Sequence, residues 1–181
     1  MSPCRLRQAR ACLRAGGVIG YPTEAVYGLG CDPWQAAAVA RLLEIKQRDI
    51  SKGFILIASQ LSQLLPLVDW QGNWTDDVSA SWPGPCTWLL PARPDLPGWL
   101  RGRHDKIACR VTAHPDAATL CETVGQALIS TSANRSGLPA ARSALQVRRR
   151  CPGVDDILHG TLGGLARPTS IRDACTGERI R

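Results

Sequence analysis

A chain of 181 residues has room for one ordinary domain with a continuous core, and 44% hydrophobic with 20% charged residues is a globular balance rather than a disordered one. Its longest apolar runs, such as residues 54–58, fall far short of the ~20 residues a membrane-spanning helix needs. A formal charge of +7 asks for an anionic partner, either a phosphate-bearing ligand or nucleic acid.

In chain order, the first element predicted is an amphipathic surface helix, because Leu6, Ala9 and Leu13 recur at helical spacing among Arg5, Arg7, Arg10 and Arg14. This segment lacks the continuous apolar stretch of an export signal, so a cytoplasmic chain without a membrane segment is expected. Residues 18–21 read as a short buried strand, followed by a loop through Pro22-Thr23-Glu24 to Gly28-x-Gly30. The two glycines would let backbone N–H groups approach an anion there. Asp32 reads as the N-cap of a helix with Pro33 at its first position, continued by Val39, Leu42, Leu43 and Lys46.

Residues 54–58 read as an apolar strand, with Ser59 placed to cap a helix holding Leu61, Leu64 and Leu65. Residues 69–86 read as an irregular, partly helical connection closed by the turn Trp82-Pro83-Gly84-Pro85. Strands are expected at 87–90, 107–111 and 127–130, with a helix over 116–124 between the last two. A helix over 143–150 and late strands at 154–158 and 170–172 complete the chain. Alternating strands and helices with short turn-linked strands predict a single α/β domain over residues 1–181, a twisted mixed sheet flanked by helices.

Four segments carry chemistry. Residues 21–30, Y-P-T-E-A-V-Y-G-L-G, offer the Thr23 hydroxyl and Glu24 carboxylate at a strand end, where α/β proteins hold ligands. Lys46, Arg48 and Lys52 place three cations within seven residues, a polyphosphate pattern that a solvated helix terminus would also show. Arg110 ends a buried strand and needs either a ligand anion or an internal acid. Residues 130–139, S-T-S-A-N-R-S-G-L-P, cluster hydroxyls and an amide that can orient a ligand, although a plain surface turn has the same composition. The eight cysteines form no C-x-x-C pair and read as reduced, mostly buried residues, so no protein metal site is expected. His104, His114 and His159 show no triad or ligand spacing and read as surface or structural. The phosphate-loop, dinucleotide, nucleophile-elbow and kinase motifs are all absent.

Taken together, P-T-E-A-V-Y-G-L-G-C-D, K-Q-R with a Lys four residues on, W-P-G-P-x-T, A-C-R-V-x-x-H-P, S-T-S-A-N-x-S-G-x-P and P-T-S-I-R-D run in order over nearly the whole chain. In this they resemble the YrdC/Sua5 family in its short bacterial form. The resemblance implies a concave basic cavity in which L-threonine, bicarbonate and ATP, the last with Mg²⁺, become threonylcarbamoyl-AMP and pyrophosphate. The product would serve the N6-threonylcarbamoyl modification of adenosine in ANN-decoding tRNAs. Downstream threonylcarbamoyl-transfer proteins and double-stranded RNA or tRNA are the further partners implied.

Carried over by motif, Thr23, Lys46, Arg48, Lys52, Arg110, Ser132 and Asn134 are expected in the cavity, with Ser130, Ser170 and Arg181 beside them. No covalent catalysis is expected: Lys46, Arg48 and Lys52 would neutralise the triphosphate, and Arg110 would hold the threonine carboxylate. The chain departs from the family where Ala25 replaces a second Thr, and where Lys52 and Ile57 stand near an Asn and a His. In Pro168-Thr169-Ser170-Ile171 either hydroxyl is available to face inward. The competing class is an RNA-binding module that uses a basic surface without chemistry; a third is carbamoyl transfer from another donor.

Overall fold

Ser2 accepts a hydrogen bond from the Arg5 backbone N–H and Pro3 fills the first turn, so a helix, α1 (Pro3–Arg14), opens at once in this computed structural model, which describes residues 1–181. Leu6, Ala9 and Leu13 are its buried stripe, as their spacing predicts. An antiparallel hairpin follows, β1 (Ile19–Pro22) and β2 (Tyr27–Gly30). Gly28 and Gly30 therefore lie in a strand, not in the phosphate-cradling loop expected. A Cβ at Gly30 would sit 2.6 Å from the Ile129 carbonyl oxygen and 2.9 Å from the Tyr21 ring, so bare backbone there lets that ring lie across β2.

The next helix, α2 (Ala36–Lys46), begins later than Asp32-Pro33 suggested. Asp32 instead accepts from the Trp34 N–H at 2.9 Å, a local turn that competes with capping, and Gln35 precedes the helix without a side-chain cap. The strand β3 (Ile55–Ala58) follows, but the helix expected after Ser59 is only a 3-10 turn, Leu61–Gln63. Beyond it come α3 (Thr75–Ala80), β4 (Cys86–Pro91) and a four-residue helix, α4 (Gly98–Arg101), that no periodicity announces. The chain closes with β5 (Lys106–Val111), α5 (Pro115–Val124), β6 (Leu128–Ser132), α6 (Ala144–Arg150), β7 (Asp156–Ile157) and β8 (Ser170–Asp173).

All eight strands form one mixed sheet in the order β7-β1-β2-β6-β3-β5-β4-β8. Three pairs are parallel, β1 with β7, β3 with β5 and β4 with β8; the remaining pairs are antiparallel. Side chains of Leu56, Cys109 and Ile129, neighbours in register, point into the larger core with Val39 and Leu42 of α2. The opposite face is divided. At one end Ile19, Tyr21, Ile57 and Leu128 are roofed by Ala9 and Leu13 of α1 and Ala117, Leu120 and Cys121 of α5. Two residues further along β3 the roof stops, and that bare end holds the site.

Candidate functional site

Ser130, Ile55, Ala108, Leu89 and Asp173 are successive cross-strand partners on β6, β3, β5, β4 and β8. Direct partners share a sheet face, so this row is the floor of a cavity of about 830 Å³. Six Lys or Arg side chains and three carboxylates line it, which gives the concavity its positive balance. Two of the carboxylates are already paired, Glu24 with Arg110 at 3.2 Å and Asp173 with Lys106 at 2.7 Å. Arg48, Lys52, Arg101 and Arg181 have no such partner.

Where the helix ends decides how the cationic segment is displayed. Gln47 takes a left-handed φ of 49°, the sole non-glycine residue with positive φ, and stops α2 at Lys46. Lys46 is thereby left on the buried face of the helix while Arg48 swings to the cavity. The Arg48 guanidinium donates to the Gly53 carbonyl at 2.9 Å and stacks 5.8 Å from the Phe54 ring centre. Burial holds its pKa below the usual arginine value, and its Nε–H has no partner. Lys52 is exposed on the rim. Gly53 and Gly102 bring α4 against this segment: a Cβ at Gly53 would lie 2.9 Å from the Arg101 carbonyl oxygen, and the Phe54 N–H donates to Leu100 at 3.2 Å. That abutment adds Arg101 to Arg48 and Lys52, a contribution with no signal in the sequence around it. His104, read as surface or structural, is exposed but lines the same mouth.

Lys46 itself does not line the cavity. Its ammonium is 2% exposed as a residue and donates to the Ser132 carbonyl at 2.5 Å, the Asn134 carbonyl at 3.0 Å and Asn134 Oδ1 at 3.4 Å. The expectation that it neutralises a triphosphate directly is corrected on this ground: the cation is enclosed by three oxygens of the β6 exit and stands behind Ser132 and Asn134, which line the cavity where it does not.

Arg110 is buried in a network of its own. Nη1 donates to Thr169 Oγ1 at 2.7 Å and Thr87 Oγ1 at 3.2 Å, and Nη2 faces Glu24, whose other oxygen accepts from Thr112 at 2.6 Å. The approach to Glu24 Oε2 lies off the hydrogen-bond direction, so that oxygen and Arg110 Nε remain unpartnered. The internal acid anticipated for this strand is Glu24, which lies within the first motif. Arg110 is thus charge-compensated before any ligand arrives, yet it still lines the cavity with its Nε–H unpartnered.

Thr23 lines the cavity and donates to the Val26 carbonyl at 2.7 Å, fixing the hairpin turn. Ser130, Ser132 and Asn134 form the β6 rim, with Ser132 Oγ donating to Asn134 Oδ1 at 2.5 Å and Asn134 Nδ2 to the Leu138 carbonyl at 2.6 Å. Along β8 the period-two alternation sends Ile171 and Asp173 inward together with Thr169, just before the strand. Ser170 points to the other face and meets Cys86 Sγ at 3.7 Å, so the inward hydroxyl is that of Thr169 and the expectation for Ser170 is corrected. Arg181 reaches the wall through Nη2 to the Thr169 carbonyl at 3.1 Å, and burial together with Arg110 lowers its pKa. Ala25 lines the cavity; Ile57 is fully buried under α5. His114 caps α5, accepting the Ala117 N–H, and is structural. No helix is long and apolar enough to cross a membrane.

A mixed α/β sheet roofed at one end and open at the other, with buried guanidinium N–H groups along the opening, defines a protein built to receive an anionic ligand. The chain belongs to the Sua5/YciO/YrdC family, described under the heading telomere recombination, which it matches over residues 11–181. It is 58% identical to the threonylcarbamoyl-AMP synthase of Alkalilimnicola ehrlichii, covering 98% of this chain and 95% of that one. To the same-named protein of Nitrosococcus oceani it is 56% identical over 98% and 97% of the two chains. Among solved structures, the Sua5 of P. abyssi, complexed with L-threonine, superposes with a TM-score of 0.89 at 30% identity over 96% of this chain. This chain spans 52% of that protein's length.

Proposed function

We propose that the chain is an L-threonylcarbamoyladenylate synthase, an enzyme of the nucleotidyl-transferring class that makes threonylcarbamoyl-AMP and pyrophosphate from L-threonine, bicarbonate and ATP. The observation that carries this reading is one continuous cavity of about 830 Å³ that joins the cations Arg48, Lys52 and Arg101 to the hydroxyl and amide edge of Ser130, Ser132 and Asn134. Its volume falls within the ~300–1,000 Å³ range of small-molecule sites, and its two ends suit phosphates and a polar ligand respectively. The relatives named for this activity cover nearly the whole chain, which supports the same reading.

The threonine amine attacks the carbon of bicarbonate or of its carbon dioxide, giving a carbamate with loss of water or a proton. A carbamate oxygen then attacks the α-phosphorus of ATP, the α–β bridging P–O bond breaks, and pyrophosphate leaves with the electron pair. No protein nucleophile takes part. Such a transfer depends on alignment and on compensating charge as it shifts towards the leaving group. Arg48, Lys52 and Arg101 supply that compensation. Thr23, Ser130, Ser132 and Asn134 offer the directional contacts, and Arg110, with Arg181 beside it in the same wall, is the cation proposed for the threonine carboxylate. Mg²⁺ enters as part of the nucleotide substrate: of the three cavity carboxylates Glu24 is committed to Arg110 and Thr112 and Asp173 to Lys106, which leaves Asp105 alone without an ion pair.

The product's proposed destination is the N6-threonylcarbamoyl group of tRNA, completed by separate transfer proteins. RNA itself is proposed as a partner on the charge of +7 and the exposed Arg148 and Arg149 at the end of α6. The test is incubation of the chain with ATP, Mg²⁺, bicarbonate and L-threonine, following pyrophosphate and the adenylate. Threonine-dependent release that serine does not match is the expected result. RNA retention that falls steeply with salt, with no ATP consumed, would replace the synthase with an RNA-binding module.

A further inference from the structure

Lys46 is fully enclosed, yet its charge is fully used. The ammonium has three donors and meets three acceptors, the Ser132 carbonyl, the Asn134 carbonyl and Asn134 Oδ1. The same residue holds the next part of the loop through its backbone, because its carbonyl accepts the Ser136 N–H at 2.8 Å. Asn134 Oδ1 also accepts from Ser132 Oγ, so the amide oxygen is shared by hydroxyl and ammonium, and the Asn134 Nδ2 group is turned to the Arg135 and Leu138 carbonyls. Without a cation at this point, three oxygens would converge on a buried spot with no donor between them, an arrangement that costs the full desolvation of each.

We propose that Lys46 is a positioning residue: from behind the cavity wall its ammonium sets Ser132 and Asn134 in the geometry the site uses, and it does not touch the triphosphate. The inference rests on the synthase reading for its kinetic consequence and on the buried contacts alone for its placement. Burial draws the Lys46 pKa down to about 8, with the Arg48 charge acting in the same direction and Cys151, at the end of α6, opposing it. The clamp is therefore charged at neutral pH and loses its proton above about 8.

The chain has only three lysines, Lys46, Lys52 and Lys106, which makes amine acylation read by mass spectrometry a clean probe on the unaltered protein. Near neutral pH, Lys52 on the exposed rim is expected to be modified in the free protein and protected by Mg²⁺–ATP, whereas Lys46 resists with or without the nucleotide. Modification of Lys46 in free protein, with protection by Mg²⁺–ATP, would overturn the proposal. Kinetics supply the second arm. Lys46→Met and Asn134→Ala should each lower kcat/KM about 10²-fold, the cost of misplacing a site by about an ångström. The double variant should be no worse than Lys46→Met, because one acts through the other. A multiplicative loss would place Lys46 on the substrate instead. The wild-type kcat should also fall as pH rises through about 8, a limb absent from Lys46→Met; a limb that persists in the variant would count against the clamp. Should Lys46→Met fail to fold, the acylation pattern decides. Should the wild-type chain release no pyrophosphate, the synthase reading falls while the acylation pattern still decides where Lys46 sits.

Discussion

The two ends of one sheet face differ by a step of two residues on a strand. Ile57 is roofed by α5 and flanked by Leu128, whereas Ile55, on the same side of β3, forms the floor of the cavity between Ser130 and Ala108. The roofed end is apolar apart from the Tyr21 hydroxyl and gains stability by removing its side chains from water. The open end gives up that gain and holds its shape instead with charged and polar networks, Glu24 with Arg110 and Lys46 with the β6 exit. Stability and function are thus drawn from neighbouring stretches of the same strands, and substitutions should separate them.

Glu24→Ala would blur the separation most, since it leaves Arg110 buried without its acid. Breaking such a pair costs about 3–5 kcal/mol, and thermal unfolding together with the pyrophosphate assay should show both stability and turnover lost. Arg48→Ala should separate the two ends cleanly. Removing one preorganised donor costs about 2.7–4 kcal/mol in the rate, with the melting temperature nearly unchanged; normal adenylate formation would contradict the site. Ile19→Val, at the roofed end, should do the opposite, costing about 0.5–1.5 kcal/mol of stability in a denaturant titration and leaving kcat alone.

The smallest effect concerns the sheet edges. Burial raises the carboxyl pKa values of Asp155 and Asp173, but stronger hydrogen bonds and ion pairs, from Arg41 and the Val18 N–H in one case and from Lys106 and the Cys175 and Thr176 N–H groups in the other, hold both below the usual value. A depressed carboxyl contributes stability above its unfolded value of about 3.9 and loses it as pH falls through the folded one. The Arg41–Asp155 pair is open to solvent, so Asp155→Asn should cost below about 1 kcal/mol at pH 7, and Asp173→Asn, at a buried carboxylate that also accepts two backbone N–H groups, should cost more. The difference from wild type should shrink in acid, as denaturant titrations between pH 7 and pH 3 would show.

How much of this was legible in the sequence depended on whether the signal was local. α1 announced itself through the spacing of Leu6, Ala9 and Leu13, and the strands through their apolar runs. Gly28 and Gly30 misled because a glycine pair serves a phosphate loop and a close-packed strand equally; the reason for it is the Tyr21 ring, which sequence spacing does not reveal. Asp32 misled because a side chain that caps can also close its own turn. In the K-Q-R motif the residue types were plain, but the opposite directions of Lys46 and Arg48 follow from the left-handed Gln47 between them, a conformation no composition rule assigns to glutamine. The Glu24 and Arg110 pairing joins residues 86 positions apart in the chain, and Arg101 reaches the site only through two glycine contacts, so neither had a local signature.

The strand order has a consequence for synthesis. β6 lies between β2 and β3, and β8 completes the far side of the floor beside β4, so the cavity's walls are contributed by segments from the beginning, middle and end of the chain. A nascent chain that has emerged only as far as β5 has its first hairpin unpaired on the side β6 will occupy, with β2 and β3 both exposing strand edges. Pairings of such long sequence separation are slow to form, and the waiting edges are sites for association with other chains. The architecture that gathers the cavity-lining groups from the whole chain therefore delays the site until translation of the domain is nearly complete, and leaves the early hairpin with open edges until β6 arrives.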